Sequence, residues 1–452
     1  MQVEAPTAEE VREQIHSLMG SHDWLAVRRL LSEMSVPEVA DLLLEVEMPE
    51  RLLVFRLLHR DLSDDVFSYL DGHDQDVILG GLTDRETRRL LAAMEPDDRT
   101  ELFEELPGEI TQKLLNLLDA EDQAEVRQLL GYPEESVGRL ANTDYVAIRP
   151  EWTVEHAIRH IRERGRDSET IDILYVTDRG WNLQGVCELR RLILSSPEQT
   201  VGEIMEPVHA SVTAFDDQEE AVREMQRHDT VALPVVDSAG VLIGIVTADD
   251  LFDVLEEEVT EDIHRTASVA PLRQSYRRTS ILELYGKRIG WLMILLLVNL
   301  VSSQVIAAYE ETLMAAIALA FFIPLLIDTG GNTGSQSAMM MVRALVTDDL
   351  APGQWAGTFV KELGVGAMLG VTLAGGSFFL GLFRGDWRIG LVVGLSMAAI
   401  VVVSNLIGMS LPFLFTKIGQ DPTVSSSPLI TSLADVIGLL IYFNIASVIF
   451  QL

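Results

Sequence analysis

One cysteine, Cys187, in a chain of 452 residues rules out an internal disulfide framework and fits a reducing compartment. Histidine is absent after His264, so the apolar second half of the chain has neither His nor Cys with which to hold zinc or copper. No His-Glu dipeptide occurs anywhere, which excludes the His-Glu-x-x-His centre of an intramembrane metalloprotease. Basic residues are scarce as well: 34 Lys/Arg stand against 69 Asp/Glu, for a formal charge of −35. Such a surface repels nucleic acid and anionic headgroups and attracts cations; the same acidity also serves solubility or a salty cytoplasm. The N-terminal stretch is acidic and has no apolar core, predicting no cleavable signal peptide.

What is present is unevenly spread. Residues from Gly290 onward carry a net charge of −4 and those before it −31, so an acidic front half joins a nearly neutral, apolar back half. Residues 1–130 read as short helices with an apolar residue every three or four positions, started by signals such as "SVPEVADLLLEV" and "EPDDRTELFEEL". Helices this short must stack, which predicts a right-angled or superhelical array. A duplication follows: "IDILYVTDRGWNLQGVCELRRLIL" aligns with "TVALPVVDSAGVLIGIVTADDLFDV", each a strand, an Asp/Gly turn, a second strand and a helix start. The pair resembles tandem CBS domains, over 131–200 and 201–254. Copy two carries that family's pattern in Gly244, Thr247 and Asp250. Copy one has Glu188 and Arg191 at the Thr and Asp places, which argues against an ATP or other nucleotide site there.

"LFDVLEEEVTEDIHR" continues as an acidic helix and leads into the basic Arg273, Arg277, Arg278, Lys287 and Arg288, so that 255–288 reads as a connecting segment. Apolar spans at 290–309, 313–342, 359–383, 389–415 and 429–450 predict five membrane helices within 289–452. Lys/Arg placement puts the front half in the cytoplasm and the C-terminus outside.

Two of these spans carry polar faces. Asp328, Asn332 and Gln336 step by four residues in "IDTGGNTGSQS", and Ser427, Thr431 and Asp435 do the same in the last span. Gly330, Gly331 and Gly334 permit close backbone approach or a break. A carboxylate in hydrocarbon must face water, a cation or a partner, and neither span has a deep Lys or Arg to pair with it. The faces therefore suggest a cation path, the plainer reading being polar helix packing. Asp435 reads as the one deep carboxylate per chain. The donors suit a hard divalent ion and leave Mg²⁺, Mn²⁺, Ca²⁺ and Co²⁺ open. A membrane-anchored divalent-ion sensor without transport is the competing class.

"GGNTGSQS" with "VRAL", and "DP" with "SSSPLITSLAD", resemble the signature stretches of the MgtE family of magnesium transporters, and the likeness extends over the whole chain. It implies a superhelical α-helical N-domain, tandem α/β CBS domains and a polytopic α-helical membrane domain. It further implies a homodimeric, non-enzymatic Mg²⁺ channel of the inner membrane, with lipid around it and several Mg²⁺ per subunit. Asp435 would hold the ion, Asn332 would line the path, and Asp421 with Thr431 would belong to the pore site. Asp328 departs from the family, where a small uncharged residue is usual, and so does Ser427. The resemblance also implies a gate, in which cytosolic Mg²⁺ neutralises Asp65, Asp97, Glu101, Asp217, Glu219, Asp229, Asp250, Asp253, Glu257, Glu258, Glu261 and Asp262 and closes the pore.

Overall fold

The computed structural model describes residues 14, 15, 17–106, 108–166, 168–272, 276, 279–347, 349–384 and 386–451. It divides into two compact units, Met1–Leu255 and Glu256–Leu452.

The first unit opens with short helices, from Trp24–Leu31 to Ala120–Leu129. Asp23, Asp71, Thr83 and Asp119 start helices by accepting backbone N–H bonds in the first turn, and a proline opens Val36–Glu45 and Pro96–Glu105. Each helix is too short to stand alone, and together they bury Val27, Leu42, Phe67, Ile78, Leu90 and Leu102 in one core. Two of them matter below: α1 (Arg60–Ser68) and α2 (Pro96–Glu105).

The duplicated segment forms two three-stranded sheets of identical order. In the first, β1 (Ala147–Ile148) lies parallel to β2 (Ile173–Thr177), which pairs antiparallel with β3 (Leu183–Glu188). In the second, β4 (Val212–Thr213), β5 (Ala232–Val236) and β6 (Leu242–Thr247) repeat that arrangement. The helices α3 (Val154–Arg164) and α4 (Gln218–His228) accompany the sheets. Both hairpins close by the same device: Asp178 accepts from the N–H of Gly180 and Asn182, and Asp237 from those of Ala239 and Val241. The chain then enters α5 (Ala248–Thr266).

In the second unit, α6 (Ile281–Ala308), α7 (Ile323–Val346, preceded by the 3-10 segment Ile317–Phe322), α8 (Trp355–Arg384), α9 (Trp387–Lys417) and α10 (Ser427–Phe450) follow. These supply five helices long and apolar enough to cross a membrane. The first starts well before the apolar run, because Ser280 caps it at the Glu283 N–H and it continues through Lys287 and Arg288. Arg273, Arg277 and Arg278 lie outside the described residues. The bundle buries Met397, Ile400, Leu439, Tyr442 and Phe443, and a Cβ on Gly408 would overlap the carbonyl of Gly334, so α7 and α9 touch backbone to backbone.

One carboxylate was not singled out in the sequence: Glu362 on α8 is 8% exposed. Its place beside Lys361 at the edge of an apolar run conceals it, but helix packing turns it inward onto Asn405.

Candidate cation sites

The first site forms where α2 meets the sheets. Asn142 is fully buried and fixed by paired backbone bonds to Ile245 on β6. Its Nδ2 faces Glu95 Oε2 at 3.0 Å, Asp97 Oδ1 at 3.2 Å and Glu169 Oε2 at 3.3 Å. One amide has two hydrogens, which cannot satisfy three carboxylates. The first turns of α5 add Asp249, Asp250 and Asp253, whose charges act on Glu95, Asp97 and Asp98. Asp250 itself accepts from Thr247 Oγ1 at 2.7 Å.

Crowding and burial move the protons. Burial, then a bond shared with Glu169 and the charges of Glu169 and Asp249, pushes Glu95 up to about 8. Burial above all, with help from Asp249, lifts Asp250 to about 7. Asp97 is held well above the carboxylate range by burial and by Asp250, Asp98 and Glu95, and Asp98 is raised chiefly by burial. A set in this condition must take up either protons or a cation. Among the described residues, no three His, Cys, Asp or Glu side chains already close into a metal cage.

Other acidic residues singled out in the sequence have different surroundings. Asp65 sits on α1, one turn before Ser68, whose side chain bonds Asp98. Glu101 is exposed one turn beyond Asp97. Asp217 caps α4 by accepting from the Glu219 N–H at 3.0 Å, and Glu219 pairs with Arg223 at 3.4 Å, so both serve that helix. Asp229 ends α4 at φ 49°, in the left-handed region. It lines a cleft of about 1010 Å³ together with Asp172, Glu188, Arg190, Glu206 and His209. Sequence reasoning missed Glu95, Asp98, Glu169 and Asp249; the helix-start cluster Glu95-Pro96-Asp97-Asp98 was the available signal for the first two.

The second site lies among the membrane helices. The Ser427 hydroxyl donates to Ser335 at 2.9 Å, and Thr431 donates to the Ser427 carbonyl at 2.9 Å and packs on Gly331. These contacts fix the register of α10 on α7. Asn332 Nδ2 donates to Asp328 Oδ2 at 3.1 Å, and Asp328, Asn332 and Gln336 are exposed on the single chain. Asp435 feels the charge of Asp328. Among the described residues, no donor reaches its buried Oδ1. Before α10, Asp421 accepts from the Thr423 N–H at 2.8 Å and is ion-paired to Arg265, which also pairs with Glu261 and feels Glu258. Nearby, Ser268 donates to Ser426 at 2.7 Å. Glu257 and Asp262 lie on the same helix as Arg265.

The family described as MgtE, a divalent cation transporter, matches residues 323–445; the MgtE intracellular N domain matches 34–135, and CBS domains match 137–197 and 201–257. The magnesium transporter MgtE of Thermus thermophilus is 39% identical over 435 residues, covering 95% of this chain and 96% of that one. The chain belongs to the MgtE family. The Bacillus subtilis magnesium transporter MgtE is 32% identical, with 89% of each chain covered. A crystal structure of the cytosolic domain of the Mg²⁺ channel MgtE in complex with ATP superposes with a TM-score of 0.52 at 36% identity, covering 54% of this chain and 99% of that one. An MgtE protein is a membrane transporter rather than a member of an enzyme class. Its three parts here are a helical N-terminal domain, a CBS pair and a five-helix membrane domain.

Proposed function

We propose that this chain conducts Mg²⁺ across the inner membrane as a homodimer and is closed by cytosolic Mg²⁺. The observation that carries the reading is Asp435: a carboxylate oxygen buried in a membrane helix with no donor among the described residues, opposite a polar stripe. A carboxylate at that depth needs a counter-ion or water. The stripe of Asp328, Asn332 and Gln336 is exposed on one chain, and a two-fold axis would bury it against its copy and double every donor. Two Asp435 carboxylates, with Asn332, Thr431 and the Asp421 region, suit an ion that keeps most of its waters.

The working division is 1–130 helical domain, 131–200 and 201–254 CBS copies, 255–288 connecting segment and 289–452 membrane domain, with the front half cytoplasmic and the C-terminus outside. Mg²⁺ binding among Asp97, Asp250, Asp253 and their neighbours would relieve the repulsion of this crowded set, and several ions per subunit fit the number of carboxylates. Asp65, Glu101, Asp217, Glu219, Asp229, Glu258, Glu261 and Asp262 remain proposed contributors to the regulatory sites. The cleft between the CBS copies is lined by four carboxylates besides Arg190 and His209, so a nucleotide bound there would have to arrive with its Mg²⁺.

Divalent influx into liposomes at several internal Mg²⁺ levels tests the reading. Influx should favour Mg²⁺ over Mn²⁺, Ca²⁺ and Co²⁺, fall as internal Mg²⁺ rises and collapse in Asp435→Asn. Normal transport by Asp435→Asn would overturn the pore assignment.

A further inference from the structure

Glu362 has no part in that reading, yet it is buried at 8% exposure among membrane helices. Its Oε2 accepts from Asn405 Nδ2 at 2.9 Å and from Ser337 Oγ at 3.5 Å, and the same Asn405 nitrogen donates to the Glu362 main-chain carbonyl at 2.9 Å. Its partners are thus an amide and a hydroxyl, both themselves 3% exposed. Three helices meet there: Ser337 comes from α7, Glu362 from α8 and Asn405 from α9. Close packing leaves the Asn405 amide little room on the α8 side: a Cβ on Gly366 would meet Asn405 Nδ2 at 3.3 Å.

The consequence is rotational. Ser337 lies on the buried side of α7, while Asp328, Asn332 and Gln336 lie on the exposed side of the same helix. Successive residues of a helix differ by about 100° in direction. A turn of α7 by one residue would therefore break the Ser337 contact and swing the polar stripe away together. Packing shuts these groups off from solvent, so a broken bond leaves a buried polar group unsatisfied.

We infer that Glu362 is a positioning residue for conduction: through Asn405 and Ser337 it locks the rotation of α7, and with it the direction in which Asp328, Asn332 and Gln336 face. It works as a hydrogen-bond acceptor and does not touch the ion. The inference rests on the reading that this stripe lines the ion path, and its test has one arm that does not.

Two quantities are measured on the full-length chain in liposomes. One is Mg²⁺ influx; the other is the rate at which a charged thiol reagent modifies Gln336→Cys. Cys187, being fully buried, does not compete for the reagent. Glu362→Ala and Asn405→Ala should each lower influx by about tenfold, the effect of losing a hydrogen bond to a charged group, and should change the modification rate. Combined, they should be no worse than either alone, because they break one clasp. Glu362→Gln keeps an acceptor oxygen and should leave both quantities little changed. If Glu362→Ala fails to fold, Ser337→Ala, which removes the longest bond, should shift both in the same direction to a smaller extent. Influx in Glu362→Gln as low as in Glu362→Ala would overturn the inference, since the charge itself would then act on the ion. An unchanged modification rate in Glu362→Ala would overturn it too. If the unaltered chain conducts no Mg²⁺ while the modification rates respond as expected, the proposed function fails and the clasp stands.

Discussion

Carboxylates in the two units live under opposite rules. In the first unit they are crowded: Glu95, Asp97 and Glu169 share one amide, with Asp249 and Asp250 close behind. In the second, Glu362 has an amide and a hydroxyl, Asp328 has Asn332, and Asp435 has an oxygen with no donor among the described residues. Crowding makes a site whose energy changes greatly when a cation arrives, which suits sensing. An under-satisfied carboxylate away from such a crowd suits the passage proposed for it. The difference teaches that arrangement, rather than the number of acidic residues, would separate the two proposed tasks.

The largest expected effect breaks the passage side of the comparison. Asp435→Asn should cut Mg²⁺ influx by about a hundredfold, since a charge near the bilayer centre is worth roughly 3 kcal/mol, while protease protection of the front half by Mg²⁺ stays intact. The converse change, Asp97→Asn with Asp250→Asn, removes both repulsion and ligands. The ratio of digestion rates without and with Mg²⁺ should shrink by at least about fivefold, the scale of ordinary coupling between sites, while influx at low internal Mg²⁺ persists.

A third measurement uses protons in place of metal. Glu95 near 8 and Asp250 near 7 lie above their ordinary values, so folding favours their protonated forms. Their stabilising contribution is complete below the ordinary carboxylate range and is lost as pH climbs through about 7 to 8. Without Mg²⁺, hydrogen-exchange protection in α2 and at the start of α5, taken relative to the intrinsic exchange rate at each pH, should therefore fall between pH 6 and pH 9. Mg²⁺ should flatten that profile, and an equal pH slope with and without Mg²⁺ would count against cation binding among these carboxylates.

Smaller effects sharpen the comparison. Asp328→Asn should lower influx only severalfold, because Asp435 keeps its charge. Arg265→Gln frees Asp421 from a pair whose arginine side chain is 41% exposed. Such pairs contribute about 0–1 kcal/mol, so influx at high internal Mg²⁺ should rise by less than about fivefold. A larger rise would make that pair a principal latch.

The sequence showed what repeats at short range. Strand–turn–strand duplication, apolar spans and the four-residue steps of Asp328, Asn332 and Gln336 all follow from local periodicity, and the structure contains each of them as an element. Groupings made by the chain folding back were hidden. Asn142 lies 47 residues from Glu95, and Asn405 lies 43 from Glu362, and no local pattern marks a neutral amide as the meeting point of carboxylates. Asp217 shows what local pattern can still add: it sits just before Gln-Glu-Glu at a helix start and caps that helix, a structural role readable beside the regulatory one proposed for it.

The touching backbones of Gly334 and Gly408 have a consequence for anyone wishing to move the stripe deliberately. A methyl group at 408 would strike the Gly334 carbonyl, with no flexible side-chain end to give way. One added carbon is therefore a wedge, driven between α7 and α9 at a fulcrum two residues from Asn332. From that point the proposed ion path can be pried at without altering a single polar group in it.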